Sequence, residues 1–375
     1  MSRSAVRAFE PPPLPPPGLR LDGVTLRALS EADRALGFLY GQIAARESVG
    51  DLIALACRRE AVASCRLDGS RITLRDLLWW ELDGNKADRL AVPGGEARIC
   101  ANYAEAIGSM LPESAKGQDE AVSQSGLRSL HKALFARLRG RDDRPGEFRR
   151  TIIWLGPAGS TAATAHFVPP LPQRIPEHVD RLQAFWRRDA PLPPLARIAL
   201  VSLQLESLHP FVDGSGRVSR LCLLRMLQSA HGAWPQLLTP SVAMAAHIGE
   251  HFRNQQRARI QGEWEAWIRY FARRLEDAAV AAARRLERMD AELQEQEDQI
   301  GQHMAGLRQT AGALLGELAR KPLVTVSDVA RICDRTFANA NLLVGRLEEL
   351  GLLQEITGRR RNRRFLYSLY REEGF

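Results

Sequence analysis

The run His209-Pro210-Phe211-Val212-Asp213-Gly214-Ser215-Gly216-Arg217-Val218-Ser219-Arg220 gathers, in twelve contiguous residues, the groups that phosphate chemistry needs. A histidine titrates near neutrality and can serve as base or acid. Gly214 and Gly216 permit backbone conformations in which successive N–H groups converge on an anion. A helix beginning near Gly216 would aim its positive end at the same point. Arg217 and Arg220, three residues apart, lie on one helical face and can both reach one polyphosphate. Asp213 offers a hard oxygen suited to Mg2+. Base, metal ligand, phosphate cradle and two cations together describe a phosphoryl- or nucleotidyl-transfer site.

Two helices must position that loop. Leu195, Ile198, Val201, Leu205 and Leu208 recur at three- and four-residue steps before it, and Val218, Leu221, Leu224 and Leu227 after it. Most of the chain beyond residue 30 has the same periodicity, so the fold class expected is mainly α. Residues 147 to 175 differ. Phe148, Ile152, Ile153 and Trp154 lead into Gly156-Pro157-Ala158-Gly159, then His166-Phe167-Val168-Pro169-Pro170, which predicts a short β-hairpin ending in proline-stopped coil. From Glu263 to about Met304 a heavily charged helical stretch suits a long connector, partly exposed and open to pairing with a second copy.

The last 70 residues form their own unit. A helix around Leu314 to Leu318 precedes a second one capped by Thr325 or Ser327, then a third over Ala338 to Leu350, stopped by Gly351. Strand-like pieces at Leu353 to Thr357 and Arg364 to Leu369 flank the basic turn Gly358-Arg359-Arg360-Arg361-Asn362. Three helices and a basic β-wing make a winged-helix pattern.

With 375 residues and 45% hydrophobic content the chain can fill several cores, and no stretch is apolar enough to span a membrane. The N-terminus has prolines at 11–13 and 15–17 rather than a signal peptide, which predicts a stiff arm and a soluble cytoplasmic protein. Five scattered cysteines, none in CxxC spacing, argue against a disulfide framework or zinc site. The formal charge of +8 comes almost wholly from arginine, with only four lysines among 52 basic residues. It concentrates in Arg359–Arg364, where a nucleic-acid partner enters consideration.

The segment 209–220 resembles the Fic signature HPFx(D/E)GNGRxxR, with Ser215 in place of the asparagine. The likeness extends to Pro145-Gly146-Glu147-Phe148-Arg149, Trp154-Leu155-Gly156, Phe167-Val168-Pro169-Pro170 and Gly262-Glu263-Trp264 with Trp267. The proline arm and the winged-helix tail look like those of one large bacterial subgroup, and the resemblance spans roughly residues 10 to 370. It implies a Fic helical core with a β-hairpin flap and a C-terminal winged helix. The expected domains are an N-terminal region at 1–115, the catalytic core at 116–275, a connector at 276–305 and the winged helix at 306–375.

The same resemblance implies a protein adenylyltransferase moving AMP from Mg-ATP onto a Ser, Thr or Tyr hydroxyl. His209 would take the hydroxyl proton and Asp213 would hold Mg2+. Gly214, Ser215 and Gly216 would cradle the phosphates, with Arg217 near the β- and Arg220 near the γ-phosphate. Ala165 and His166 on the flap, and Phe252 where many relatives carry a Tyr-Tyr pair, would touch nucleotide. Ser64-Cys65-Arg66-Leu67-Asp68-Gly69 resembles the inhibitory motif (S/T)xxxE(G/N), so Asp68 would pair with Arg220; one methylene shorter than glutamate, it is expected to fall about an ångström short and restrain weakly.

Blander readings stand beside these. Asp68-Gly69 could simply close a helix, and His131 reads as a packed or capping histidine. Serine tolerates left-handed backbone less well than asparagine, so Ser215 is expected to strain or loosen the loop, at about 1 kcal/mol. The expected partners are ATP, a protein target, DNA or protein through the winged helix, and a second copy; no membrane is expected. The alternative functions are a winged-helix DNA-binding regulator with a nucleotide-sensing Fic core, and a Fic enzyme with another nucleotide donor.

Overall fold

In the computed structural model, residues 7–46, 49–83, 93–110, 120, 122–138, 144–157, 159–188, 191–231 and 235–373 are described. Ala158 of the expected hairpin and the expected boundary at 115/116 lie outside them.

The chain opens with a proline arm and then α1 (Gly23–Ala44), α2 (Gly50–Leu67), α3 (Leu74–Leu82), α4 (Gly94–Gly108) and α5 (Gln124–Leu134). The central part carries α6 (Ile175–Arg187), α7 (Pro194–Leu208), α8 (Ser215–His231), α9 (Pro240–Ala246) and α10 (Ile248–Gln261). A 40-residue helix, α11 (Trp264–His303), then leads to α12 (Arg308–Arg320), β1 (Leu323–Thr325), α13 (Val326–Ile332), α14 (Phe337–Glu349), β2 (Leu353–Glu355) and β3 (Arg364–Tyr367).

Side-chain caps start several of these helices where the sequence offers an acceptor: Asp22 for α1, Ser123 for α5, and capping boxes at Thr73/Asp76 and Thr325/Asp328. α7 is the keystone. Its residues from Leu195 to Leu208 are almost all buried, because α6, α8 and α11 pack around it. A helix apolar on every side belongs in the interior, and its end is therefore rigidly placed.

The expected connector is not a separate element. α11 begins inside the core, with Trp267 donating to the Ala199 carbonyl of α7 at 2.8 Å, and it runs against α1 along much of its length. Leu275, Ala279 and Leu286 of α11 are buried within the chain.

In the C-terminal unit β3 lies between β1 and β2, antiparallel to both, with Leu323 opposite Leu366 and Leu353 opposite Tyr367. This unit is docked on the rest of the chain. α12 packs on α2. The Arg364 guanidinium reaches Asp83 at 2.5 Å and lies 4.4 Å over the Trp79 ring, while the Tyr367 hydroxyl donates to Gln296 at 2.6 Å. No described helix is long and apolar enough to cross a membrane.

Candidate active site

His209 caps the C-terminus of α7 in a left-handed conformation, φ 44° and ψ 63°. That conformation is uncommon for a residue bearing a Cβ, and Arg149 sustains it. Its guanidinium donates to the carbonyls of His209 at 2.8 Å, Leu208 at 3.3 Å and Pro170 at 2.5 Å, and to Thr151 O at 3.0 Å. One side chain thus ties the end of α7 to both sides of the expected flap. Burial pushes the His209 imidazole down to about 4; Asp68 opposes this, and Arg149 and Arg259 add to it. At neutral pH the ring is therefore an unprotonated base.

After His209 the chain makes a tight turn and enters α8. Gly214 takes the left-handed position, φ 77°, and a Cβ there would strike the Phe135 ring at 2.7 Å. Ser215, the first residue of α8, has no left-handed backbone. Its hydroxyl accepts from Phe211 N at 2.9 Å and donates to Phe211 O at 3.1 Å. The strain expected of serine is absent because Gly214 takes the strained position and the hydroxyl braces the loop. The N–H groups of the first turn of α8, which have no partner within the helix, can bind an anion.

Asp68 approaches the start of α8 from the other side. It is the C-cap of α2, with Gly69 at φ 89° closing the helix, so the capping reading holds as well. Its carboxylate accepts from Arg217 Nε at 2.8 Å and from Arg220 Nη2 at 2.5 Å. A Cβ on Gly216 would lie 2.6 Å from Asp68 Oδ1, so the carboxylate rests directly on the start of α8. The expected ångström of shortfall does not occur, because a cap residue projects beyond the helix end. Arg220 is 4% exposed and also holds Ser64, at 2.8 Å to the hydroxyl and 2.9 Å to the carbonyl.

These groups open into a cleft of about 1010 Å3, lined among others by Asp68, His166, His209, Asp213, Gly214, Ser215, Gly216, Arg220 and Phe252. Of the expected site residues, Ala165 and Arg217 do not line it. The Ala165 N–H donates to Thr161 O within the flap. Arg217 is drawn down between Asp68 and Asp213, the latter at 2.6 Å. His131 proves structural: Nδ1 accepts from Gly146 N at 2.8 Å, Nε2 faces the Asp213 carbonyl at 3.1 Å, and the ring stacks on Phe211. The flap is not a regular hairpin but an irregular loop closed by one antiparallel bridge, Leu155 to Phe167. Trp154 bonding to Ser160 O and the Thr161/Thr164 turn use the polar groups a ladder would need. The proline arm buttresses it through Phe9, whose N–H donates to Val168 O and whose ring lies 5.2 Å from that of Phe167.

Two further groups lining the cleft, Glu206 and Arg259, have no counterpart among the expected site residues. Glu206, one turn before His209, faces Arg220 at 3.5 Å and bonds Gln255; burial opposes its charge, but His251, Arg220 and Arg259 outweigh it and hold the carboxyl near 2. It is the only charged residue between Arg197 and His209, which was signal enough. Arg259 donates to Ser207 Oγ at 2.7 Å and lies over Phe167, and nothing local in the sequence marks it.

Among the described residues no group of three or more metal-ligating side chains occurs. A lone carboxylate on a phosphate cradle still fits magnesium, which typically takes one or two carboxylates and completes its shell with substrate phosphates and water. Asp213 is that carboxylate, a third exposed in the cleft wall, once Arg217 releases it.

A family model described as Fic/DOC family matches residues 121–227, and one described as Fic/DOC family N-terminal matches 26–109. Two curated proteins named protein adenylyltransferase Fic, from Drosophila grimshawi and Drosophila melanogaster, are 29% and 28% identical over 129 residues. Each match covers 34% of this chain and 23% of the relative, so it spans about a quarter of those proteins' length. The crystal structure of a Fic family protein from Desulfovibrio desulfuricans G20 superposes with a TM-score of 0.58 at 15% identity, covering 96% of this chain and 98% of that one. A Fic domain containing signaling protein from Bacteroides thetaiotaomicron VPI-5482 gives 0.51 at 14% identity, covering 70% and 96%. At such identities the likeness is one of fold.

Proposed function

Because the chain belongs to the Fic/DOC family, we propose that it is a transferase moving an adenylyl group from ATP to a hydroxyl of a protein target. The observation that carries the reading is His209 lining, with Gly214, Ser215 and Gly216 at the start of α8, a cleft of nucleotide size, where burial favours its neutral form. The relatives named as adenylyltransferases support the donor.

In this reading His209 accepts the proton of the target hydroxyl as its oxygen bonds to the α-phosphorus. The bond from that phosphorus to the bridging oxygen breaks, and pyrophosphate leaves with the electron pair. The proton later passes from the imidazole to water. Asp213 would hold the magnesium ion, whose charge offsets that of the phosphates. The N–H groups of Ser215 and Gly216 and the guanidinium of Arg220 cradle the polyphosphate, and general-base catalysis contributes about 100- to 10,000-fold. Arg149 sets the imidazole's height in the cleft.

The resting chain is restrained in this account. Asp68 occupies the anion site and both arginines, so a triphosphate must displace a carboxylate already bonded there. Incubation with ATP labelled on the α- or the γ-phosphate tests the chemistry. Adenylyl transfer puts only the α-label on protein; γ-label on protein would mean phosphoryl transfer and overturn the proposal.

A further inference from the structure

The C-terminal unit presents a surface that the transfer chemistry does not use. α14 leaves Phe337 and Leu342 to solvent, 61% and 66% exposed, beside the exposed Ala338 and the half-exposed Asn341 and Gly345. Its opposite face, Ala340, Leu343, Val344 and Leu347, is buried in the unit. From Phe337 to Leu347 the helix carries no carboxylate.

Beside this helix runs the turn between β2 and β3, with Arg359, Arg360 and Arg361 all exposed. Helix and turn form one surface, because Arg363 donates to the side-chain oxygen of Asn341 at 2.9 Å while lying over the Phe365 ring. The carboxylate on the turn is tied up within it: Glu355 accepts from the backbone N–H groups of Thr357 and Gly358, both at 2.8 Å. The surface is therefore an apolar and amide ridge flanked by arginines that no acid on the turn neutralises.

We propose that this face binds duplex DNA, with α14 in the major groove and the turn's arginines on the backbone phosphates. A helix fits the groove, about 12 Å wide, and its 13 residues give a rod of about 20 Å. Exposed apolar side chains can meet thymine methyl groups, and the exposed Asn339 can pair with adenine, Asn341 being held by Arg363. Three adjacent exposed arginines suit a row of backbone phosphates. The unit is fixed to the rest of the chain by Arg364 on Asp83 and Trp79, so bound DNA would hold the whole molecule in one orientation.

The test uses the full chain, a fluorescein-labelled mixed-sequence duplex of about 30 base pairs, and polarisation across salt. Three phosphate contacts predict a slope of about −2.7 in log affinity against log salt from the turn alone, or about 40-fold weakening between about 50 and about 200 mM. R359A/R360A/R361A should flatten the slope by about that amount. Leu342→Glu, at an exposed position, should weaken binding at least about tenfold at an unchanged slope, since it sets a carboxylate in the groove. Circular dichroism of both variants should match the parent. Absence of binding at the lowest salt overturns the proposal, as does a slope indifferent to the arginines. Binding unaffected by Leu342→Glu would show that the helix does not enter the groove. Self-association that Leu342→Glu abolishes, without DNA binding, would make the face a protein interface instead.

Discussion

Replacing Asp68 by alanine should accelerate transfer while making the fold less stable. The carboxylate makes charge-assisted bonds to Arg217 at 2.8 Å and Arg220 at 2.5 Å. Such bonds contribute about 1.5–3 kcal/mol each when protected from water. Asp68 is 21% exposed, so solvent screens part of this and the lower end applies, about 3 kcal/mol for the pair. If the resting contact must open before a triphosphate can enter, its removal raises the transfer rate at low ATP about 100-fold. The same deletion leaves Arg217 with Asp213 and Arg220 with Glu206 and Ser64. A partly repartnered cation pair implies a loss of about 1–2 kcal/mol in stability.

The assay is the initial rate of α-label incorporation at ATP well below KM, beside a thermal melt of the same preparation. Asp68→Asn should give an intermediate rate, since it keeps the shape and loses the charge. Asp68→Glu should not restrain more tightly than the parent, because Asp68 Oδ1 already crowds Gly216. An unchanged rate in Asp68→Ala, with the expected fall in melting temperature, would show instead that the carboxylate is a helix cap that the triphosphate displaces at no cost.

Arg149→Lys should lower kcat about 10- to 100-fold with little change in KM for ATP, since a lysine cannot hold the carbonyls of Leu208, His209 and Pro170 together; steady-state kinetics separate the two. Glu60 is buried in α2 and accepts from Ser241 N at 2.8 Å, and burial lifts its carboxyl from 4.5 to about 7. A raised carboxyl carries no penalty below its unfolded value and the full one above its folded value. Glu60→Gln should therefore raise the melting temperature by a few degrees near about pH 8.5, and by far less near about pH 5, with about 2–3 kcal/mol at stake.

The helices, their order and the turn between α7 and α8 could be read from residue types because each depends on near neighbours. The loop gathers its base, turn glycine and cations within twelve residues, and α7 and α8 show their periodicity plainly. Features set by contacts distant in sequence were not legible. Asp68 reaches both arginines because a cap residue projects past the helix end, which a comparison of side-chain lengths does not capture. Arg149's hold on His209 joins segments 60 residues apart. The irregular flap shows the converse: Ile152, Ile153 and Trp154 favour a strand, but Pro157 and the local bonds of Trp154 and Thr161 consume what a ladder would use. β1 escaped notice because three residues between two helices carry no period.

In the proposed reaction His209 acts as the base in the chemical step alone. The most direct measurement compares parent and His209→Ala in a single turnover with α-labelled ATP, together with equilibrium ATP binding to each. Incorporation should fall at least about 100-fold while the ATP dissociation constant changes less than about threefold, because the base contributes in the transition state rather than to ground-state binding. Incorporation that persists in His209→Ala, or a loss that tracks weakened ATP binding, would contradict it.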